Sequence, residues 1–297
     1  MFKLGLKKRF KKYPKLNEIY DAIMWKKHIF SDLCNTYIFK SKSKVSTPYG
    51  FTLVSRNYIA NRMMLQGTFE TEEVEIIKSH LQTADVFIDV GANIGYYTCL
   101  ARALSKYVVV FEPQPQNLEC LYDSLNSNGW SDTEVFPLGL SHSPGLATLY
   151  GASGPSASLV KGWGEFSHRF KKVISVNLMD NILHNRFEGR KLFIKIDVEG
   201  AEYDVLRGAE KMFKMSPLPT WFIEVCLSEF HPGKLNPNYL ATFELFWQHN
   251  YEVYLANKSG RLITPMDIKN WLIDKKTNIR EFNYLFIPKS EQSGGIS

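Results

Sequence analysis

Few cysteines, no long hydrophobic run and no internal repeat mark this chain, and each scarcity removes a class of protein. The four cysteines, Cys34, Cys99, Cys120 and Cys226, are far apart and form no C-x-x-C pair. That pattern argues against a zinc site and a disulfide-built scaffold and leaves reduced thiols as the plain reading. No apolar stretch approaches the roughly 18 residues that span a bilayer, and the basic N-terminus is not followed by the apolar region of a signal peptide. The expected location is the cytoplasm. Acids are missing from the first fifteen residues, where Lys3, Lys7, Lys8, Arg9, Lys11, Lys12 and Lys15 fall. This arm carries the net charge of +6, and the remainder of the chain is close to neutral. A folded domain without a basic surplus gives little support for nucleic-acid binding. Phe2, Leu4, Leu6, Phe10 and Tyr13 interleave with the basic residues, which suits a peripheral contact with anionic lipid, against the simpler reading of a solvated tail.

What is present is ordinary globular composition, 44% hydrophobic and 22% charged over 297 residues, enough for an α/β domain with an extension. The organising stretch is Val86-Phe87-Ile88-Asp89-Val90-Gly91-Ala92-Asn93-Ile94-Gly95. It reads as a buried parallel strand ending in an acid, a glycine-bracketed turn in which backbone can take positive φ or approach a ligand closely, and then a helix through Leu104. A second apolar strand, Tyr107 to Phe111, ends at Glu112, 23 positions after Asp89. An acid about 20 residues beyond the first strand accepts hydrogen bonds from the ribose of a bound nucleotide in doubly wound sheets. Glu134 to Leu140 is expected as a third strand. Leu146 to Tyr150 and Lys172 to Asn177 are read as short strands of an insertion in which Trp163, Phe166, His168 and Arg169 are candidates to contact an acceptor. Lys191 to Ile196 is a strand with Lys195, Asp197 and Glu199 at the strand period of two, expected to point to one side. A helix is expected from Glu202 to Met212, then a strand over Thr220 to Val225, a helix over Tyr239 to His249 and strands over Tyr251 to Leu255 and Phe282 to Ile287. Upstream, Leu16 to Trp25 has helical spacing, Tyr49 to Val54 reads as a hairpin arm and Glu72 to Leu81 as a helix. The segments divide the chain into a basic tail and mainly helical extension over 1–80, a catalytic domain over 81–290 and a flexible tail over 291–297.

Two cofactor classes compete for the glycine turn. A dinucleotide fingerprint wants G-x-G-x-x-G so that backbone can meet a pyrophosphate; here Asn93 fills the middle position, and Asp89 before the turn suits a cationic amino group and sulfonium better than a diphosphate. This favours S-adenosylmethionine over a nicotinamide or flavin, with a cofactor-binding scaffold lacking turnover as the remaining alternative. The blocks Ile88 to Gly95, Phe111-Glu112-Pro113, Gly139-Leu140-Ser141, Ile194 to Glu202 and Phe222-Ile223-Glu224 together resemble the FkbM-type S-adenosylmethionine-dependent methyltransferases, over about Val86 to Tyr254. The resemblance implies a Rossmann-like seven-stranded methyltransferase sheet with helices on both faces, and methyl transfer to an oxygen of a saccharide or similar metabolite. It places Asp89, Gly91, Asn93 and Gly95, with Ala92 between them, at the methionine end of the cofactor, Glu112 and Pro113 at the ribose, and Gly139, Leu140 and Ser141 at the adenine. Asp197 would lie beside the transferable methyl, with Lys195 and Glu199 as its catalytic partners. Asp197 or Glu199 is the expected general base, with His231 as a second candidate for that role; Glu224 and His231 are also candidate acceptor contacts, and no metal is expected.

Overall fold

The computed structural model describes residues 42–151, 157–164, 170–183, 185–279 and 281–289. The basic arm, the helix expected over 16–25, the tail over 291–297, and Phe166, His168 and Arg169 lie outside the described residues. The all-apolar pattern of Val86–Val90 (β3) around Asp89 is explained by its place: every residue of the strand is buried, because it pairs in parallel with Tyr107–Phe111 (β4) on one side and Leu192–Ile196 (β9) on the other. Glu134–Phe136 (β5) extends the sheet beyond β4, and Thr220–Glu224 (β10) beyond β9. Asn283–Pro288 (β13) then runs antiparallel between β10 and Tyr251–Leu255 (β11), and Leu262–Ile263 (β12) adds a two-residue edge. The order β12-β11-β13-β10-β9-β3-β4-β5 contains the expected sheet with one additional short strand.

Helices cover both faces, and strand alternation sorts the core. Ile88, Val90, Ile194, Ile196, Trp221 and Ile223 face one layer with Phe243 and Phe246 of the helix Tyr239–Gln248 (α7). Phe87, Phe193 and Phe222 face the other, against Tyr96–Ala103 (α3), Pro115–Ser127 (α4) and Thr71–Thr83 (α2). This second layer also takes Val45 and Leu53 from a hairpin of Ser43–Ser46 (β1) and Thr52–Ser55 (β2), and Met64 from Tyr58–Leu65 (α1). From Val45 onward the chain therefore shares one core with the sheet, and the boundary drawn at residue 80 does not coincide with a break in packing.

Three expected elements are altered for identifiable reasons. The strand expected over 134–140 stops at Phe136, where Pro137 supplies no N–H and Leu138 N–H turns back to Phe136 O at 2.9 Å. Gly139–Leu140 (β6) joins a separate three-stranded sheet with Gly145–Tyr150 (β7) and Lys171–Asn177 (β8). The helix expected to reach Met212 ends as Glu202–Arg207 (α6), since Gly208 packs so closely that a Cβ there would lie 2.2 Å from Ser141 O. Met179–Leu183 (α5) supplies the short crossover before β9. The sequence pattern did not reveal Pro265–Asp274 (α8), although Thr264 and Asp267 form a capping box, with Pro265 at the first helical position, that announces its start.

The core predicts its own sensitivity. Phe246 is fully buried and stacks on Phe286 at 3.8 Å between ring centroids, so Phe246→Ala should cost about 3–5 kcal/mol in urea unfolding. Leu146→Ala, at a side chain 76% exposed, should stay within about 0.5 kcal/mol.

Candidate active site

The sheet changes winding direction between β3 and β9, and a crevice opens at the carboxyl ends of the strands at such a switch point. Gly91 makes the crevice narrow. It has φ of +80°, and a Cβ on it would lie 1.9 Å from the backbone oxygen of Asp197, so the turn after β3 and the loop after β9 touch as only glycine allows. Asp197 N–H donates to Val90 O at 3.0 Å, locking the same contact. Glu112, one residue beyond β4, then fastens the turn: its Oε2 accepts from Asn93 N–H at 2.8 Å, while Oε1 accepts from Gln114 N–H at 2.8 Å and from Asn117 Nδ2 at 3.1 Å.

A cavity occupies this crevice. Gly91, Asn93, Glu112, Pro113 and Asn117 line it, together with Asp197, Val198 and Glu199. Leu138, Gly139 and Leu140 form an apolar wall with Leu149, Ala157, Leu159 and Ile174 of the insertion. Of the residues expected at the cofactor, Asp89, Ala92, Gly95 and Ser141 are not in the wall. Ala92 is packed in the second core layer. Gly95 stands at the start of α3, where a Cβ would meet Leu121 of α4 at 2.3 Å. Ser141 is tied by its N–H to Asn177 O at 2.9 Å. Asp89 is buried beneath the turn, with Thr98 Oγ1 donating to its Oδ2 at 2.6 Å and no hydrogen-bond partner for its Oδ1 among the described residues.

Asp89 instead sits beside Lys195 in the sheet register. Lys195 Nζ lies 3.0 Å from Asp197 Oδ2 and 5.1 Å from the centre of the Tyr97 ring. Burial alone would lower the Lys195 pKa, but Asp197 and Asp89 outweigh it and hold the ammonium charged. Glu199 does not follow the strand period, because β9 ends at Ile196 and Glu199 takes a φ of +58°. Its Oε2 accepts from Trp163 Nε1 at 2.6 Å, and its carbonyl oxygen accepts from Ser158 Oγ at 2.5 Å. Trp163, expected as an acceptor contact, is 2% exposed and lies so close over Gly200 that a Cβ there would be 2.3 Å from the ring. It closes the insertion onto the Asp197 loop. His231 lies edge-on to Trp163 at 6.1 Å, and partial burial lowers its pKa, which favours the neutral ring. Glu224 ends β10 next to this loop, its pKa pushed up to about 8 by burial and by Asp197. Burial also pushes Glu199 up, with Asp197 adding to it. Among the described residues no group of three His, Cys, Asp or Glu side chains could hold a metal ion, and no helix is long and apolar enough to cross a membrane.

Two residues at the site carry roles that the sequence pattern did not bring out. Glu202, at the start of α6, accepts from Gly200 N–H at 2.9 Å and from Val198 N–H at 3.3 Å, so it pins the loop that carries Asp197; an acid in the first turn of a helix was the available signal. Glu70 accepts from Tyr97 OH at 2.6 Å and had no sequence signal.

A glycine turn at a switch point, an acid at the end of the next strand and an apolar slot beside it define a Rossmann-like fold with a crevice at the carboxyl ends of its strands. The family profile described as Methyltransferase FkbM domain matches residues 89–275, and the chain belongs to that family. The hexuronic acid methyltransferase AglP of Haloferax volcanii is 30% identical over 160 residues, 53% of this chain and 63% of that protein, so the match spans less than two thirds of the relative. Among solved structures, an O-methyltransferase from Bacillus cereus in complex with SAH shares 13% identity over 74% of this chain and 81% of its own, with a TM-score of 0.41. A SAM-dependent methyltransferase from Agrobacterium tumefaciens shares 8% identity over 84% of this chain and 70% of its own, also at 0.41. Neither likeness bears on the chemistry of the site.

Gly91→Ala should be destabilised by more than about 2 kcal/mol, because backbone has to move. Gly129→Ala, with φ of +73° and nothing within 4 Å of the added carbon, should lose only about 1 kcal/mol to backbone strain. Urea unfolding of the two variants checks the contrast. Glu112 and Glu202 are both pushed up from 4.5 to about 7 by burial. Each binds its proton more tightly folded than unfolded. Their contribution to stability is therefore full below about pH 4.5 and is lost as pH rises through about 7, with a slope of up to roughly 1.4 kcal/mol per pH unit per group. Glu112→Gln should flatten the fall in unfolding free energy across that window; an unchanged slope would refute the assignment.

Proposed function

We propose that this protein transfers a methyl group from S-adenosylmethionine to a hydroxyl of a saccharide or related metabolite. The observation that carries the reading is the position of Asp197, which lines the cavity with a carboxylate paired with Lys195. Membership of the FkbM family supports methyl transfer, and the name of the Haloferax relative supports a saccharide acceptor.

The residues fit the cofactor. Asn93 lines the turn where a pyrophosphate would need backbone alone, which disfavours a dinucleotide. A carboxylate offers about four acceptor sites, and Glu112 uses three of them on its own chain, leaving room on Oε2 for a ribose hydroxyl. The slot of Leu138, Leu140, Leu149, Leu159 and Ile174 has the apolar walls a purine needs. When bound, S-adenosylmethionine supplies an electrophilic methyl group on a sulfonium. This chain's own task is then to orient a hydroxyl and remove its proton. Asp197 is the proposed base. Lys195 fixes its carboxylate, and Glu202 fixes the loop beneath it. Glu199 is committed to Trp163 and Ser158 and is a positioning residue, while Glu224, raised to about 8, holds its proton near neutral pH.

Asp197→Asn should lower methyl incorporation into a glycan pool by about 100-fold or more, read by mass spectrometry, while affinity for S-adenosylhomocysteine in calorimetry changes only a few-fold. Wild-type turnover in that variant would end the assignment of the base. Preference for NAD over S-adenosylhomocysteine would end the methyltransferase reading itself.

A further inference from the structure

The insertion meets the loop of Asp197 at a single residue, Glu199, and the meaning of that junction rests on the proposed cofactor site. Leu149, Ile174 and Val176 form a small core with Ala147, Ala157 and Leu159, separate from the two layers that cover the main sheet. Four of these side chains, Leu149, Ala157, Leu159 and Ile174, also line the cavity. A satellite core of that size has few apolar contacts, so its placement depends on what ties it to the rest of the molecule. Lys172 Nζ ties one corner, donating to Gln114 Oε1 at 2.9 Å and to Gln116 Oε1 at 2.7 Å. Gly164 ties another, its N–H donating to Phe230 O at 2.8 Å. Within the insertion, Ser158 and Tyr150 exchange backbone N–H···O bonds of 2.8 Å in both directions.

Among the described residues, the hydrogen bonds from the segment 157–164 to the loop of Asp197 both end on Glu199. Ser158 Oγ donates to its carbonyl oxygen at 2.5 Å and Trp163 Nε1 to its Oε2 at 2.6 Å. Glu199 is also a strained residue, with φ of +58°. A left-handed backbone on a residue with a long side chain persists where its surroundings hold it. The holders here are Ser158, the Trp163 ring over Gly200, and Glu202 on the backbone N–H groups of Val198 and Gly200. Asp197 stands two residues before Glu199, so the shape of this turn sets where its carboxylate lies. A phenyl ring at position 163 could cover Gly200 as well, but it has no N–H to give Glu199, and that difference separates packing from positioning.

We propose that Trp163 is a positioning residue for methyl transfer. A purine seated against Ala157 and Leu159 restrains the segment 157–164. Trp163 and Ser158 pass the restraint to Glu199, and Glu199 passes it to the turn that carries Asp197. The proposed base is therefore in place when the cofactor crevice is filled, and cofactor binding precedes productive binding of the acceptor.

Hydrogen exchange read by mass spectrometry on the full-length protein, with and without S-adenosylhomocysteine, tests this with no acceptor present. In the wild type the ligand should slow exchange by about tenfold or more over both 157–164 and 197–202. In Trp163→Phe the slowing over 157–164 should persist, while that over 197–202 should shrink by about threefold or more. Equal slowing over 197–202 in the two proteins overturns the proposal, because the ligand then orders the turn directly. Wild-type protein that binds the ligand with no slowing over 197–202 overturns it too. Ser158→Ala removes the other hydrogen bond to Glu199 with little loss of volume; it should show the same reduced slowing, and it decides the matter if Trp163→Phe fails to fold. Glu199→Gln keeps an acceptor oxygen for Trp163 and should retain the wild-type slowing, whereas Glu199→Ala should lose it; equal behaviour of these two removes the Trp163 hydrogen bond from the coupling. Wild-type protein that binds no S-adenosylhomocysteine in calorimetry overturns the cofactor reading together with this one.

Discussion

The contact between the Gly91 turn and the Asp197 backbone oxygen is the constraint on which the rest of the site depends. Two parallel strands leave the sheet next to each other, and their loops meet at a distance that no side chain could occupy. Because they meet, the proposed cofactor turn and the proposed base are one rigid piece, reinforced by the hydrogen bond from Asp197 N–H to Val90 O. Glu112 holds this piece from the β4 side and Glu202 from the α6 side. Both are buried carboxyls that accept from two backbone N–H groups each, which would otherwise be left unsatisfied in a tight loop, and Glu112 also accepts from the Asn117 side chain.

The charged residues are arranged by the same geometry. Asp89 and Lys195 are buried, with the half-exposed Asp197 beside them, in a sheet otherwise filled with aliphatic and aromatic side chains. Burying Lys195 beside Asp89 is costly, and the ion pair with Asp197 is what makes it tolerable. The insertion is joined to this cluster from outside through Trp163 and Ser158, both bound to Glu199. One wall of the cavity and the loop of the proposed base therefore move together or not at all.

Much of this was legible in the sequence where local chemistry dictates structure. The apolar run into Gly91, the acid at Glu112 and the three charges following Ile194 each conflict with burial unless a ligand edge explains them, and that conflict is visible without coordinates. The side of the strand on which Asp89 points was less legible, because the acid's nearness to the glycine turn suggested the pocket while the sheet register sends it toward Lys195. Glu70 with Tyr97, and Trp163 with Glu199, are pairs far apart in the chain with no periodicity to announce them. Glu199 was misjudged because period-two reasoning was carried past the end of β9, where a left-handed residue turns the chain. Pro137 and the Thr264 capping box were readable signals for two boundaries that the periodic pattern alone obscured.

The side-by-side placement of Asp89 and Lys195, with Asp197 on the same ammonium, also bears on descent. Loss of Lys195 alone would strand two carboxylates under the turn, and loss of both acids would strand an ammonium between Phe193 and Tyr97. Replacing Asp89 alone by a neutral residue leaves the Lys195–Asp197 pair balanced, whereas replacing Lys195 alone leaves two acids without a cation. Across related chains Asp89 is therefore expected to vary independently, while Lys195 is expected to be kept wherever Asp197 is kept.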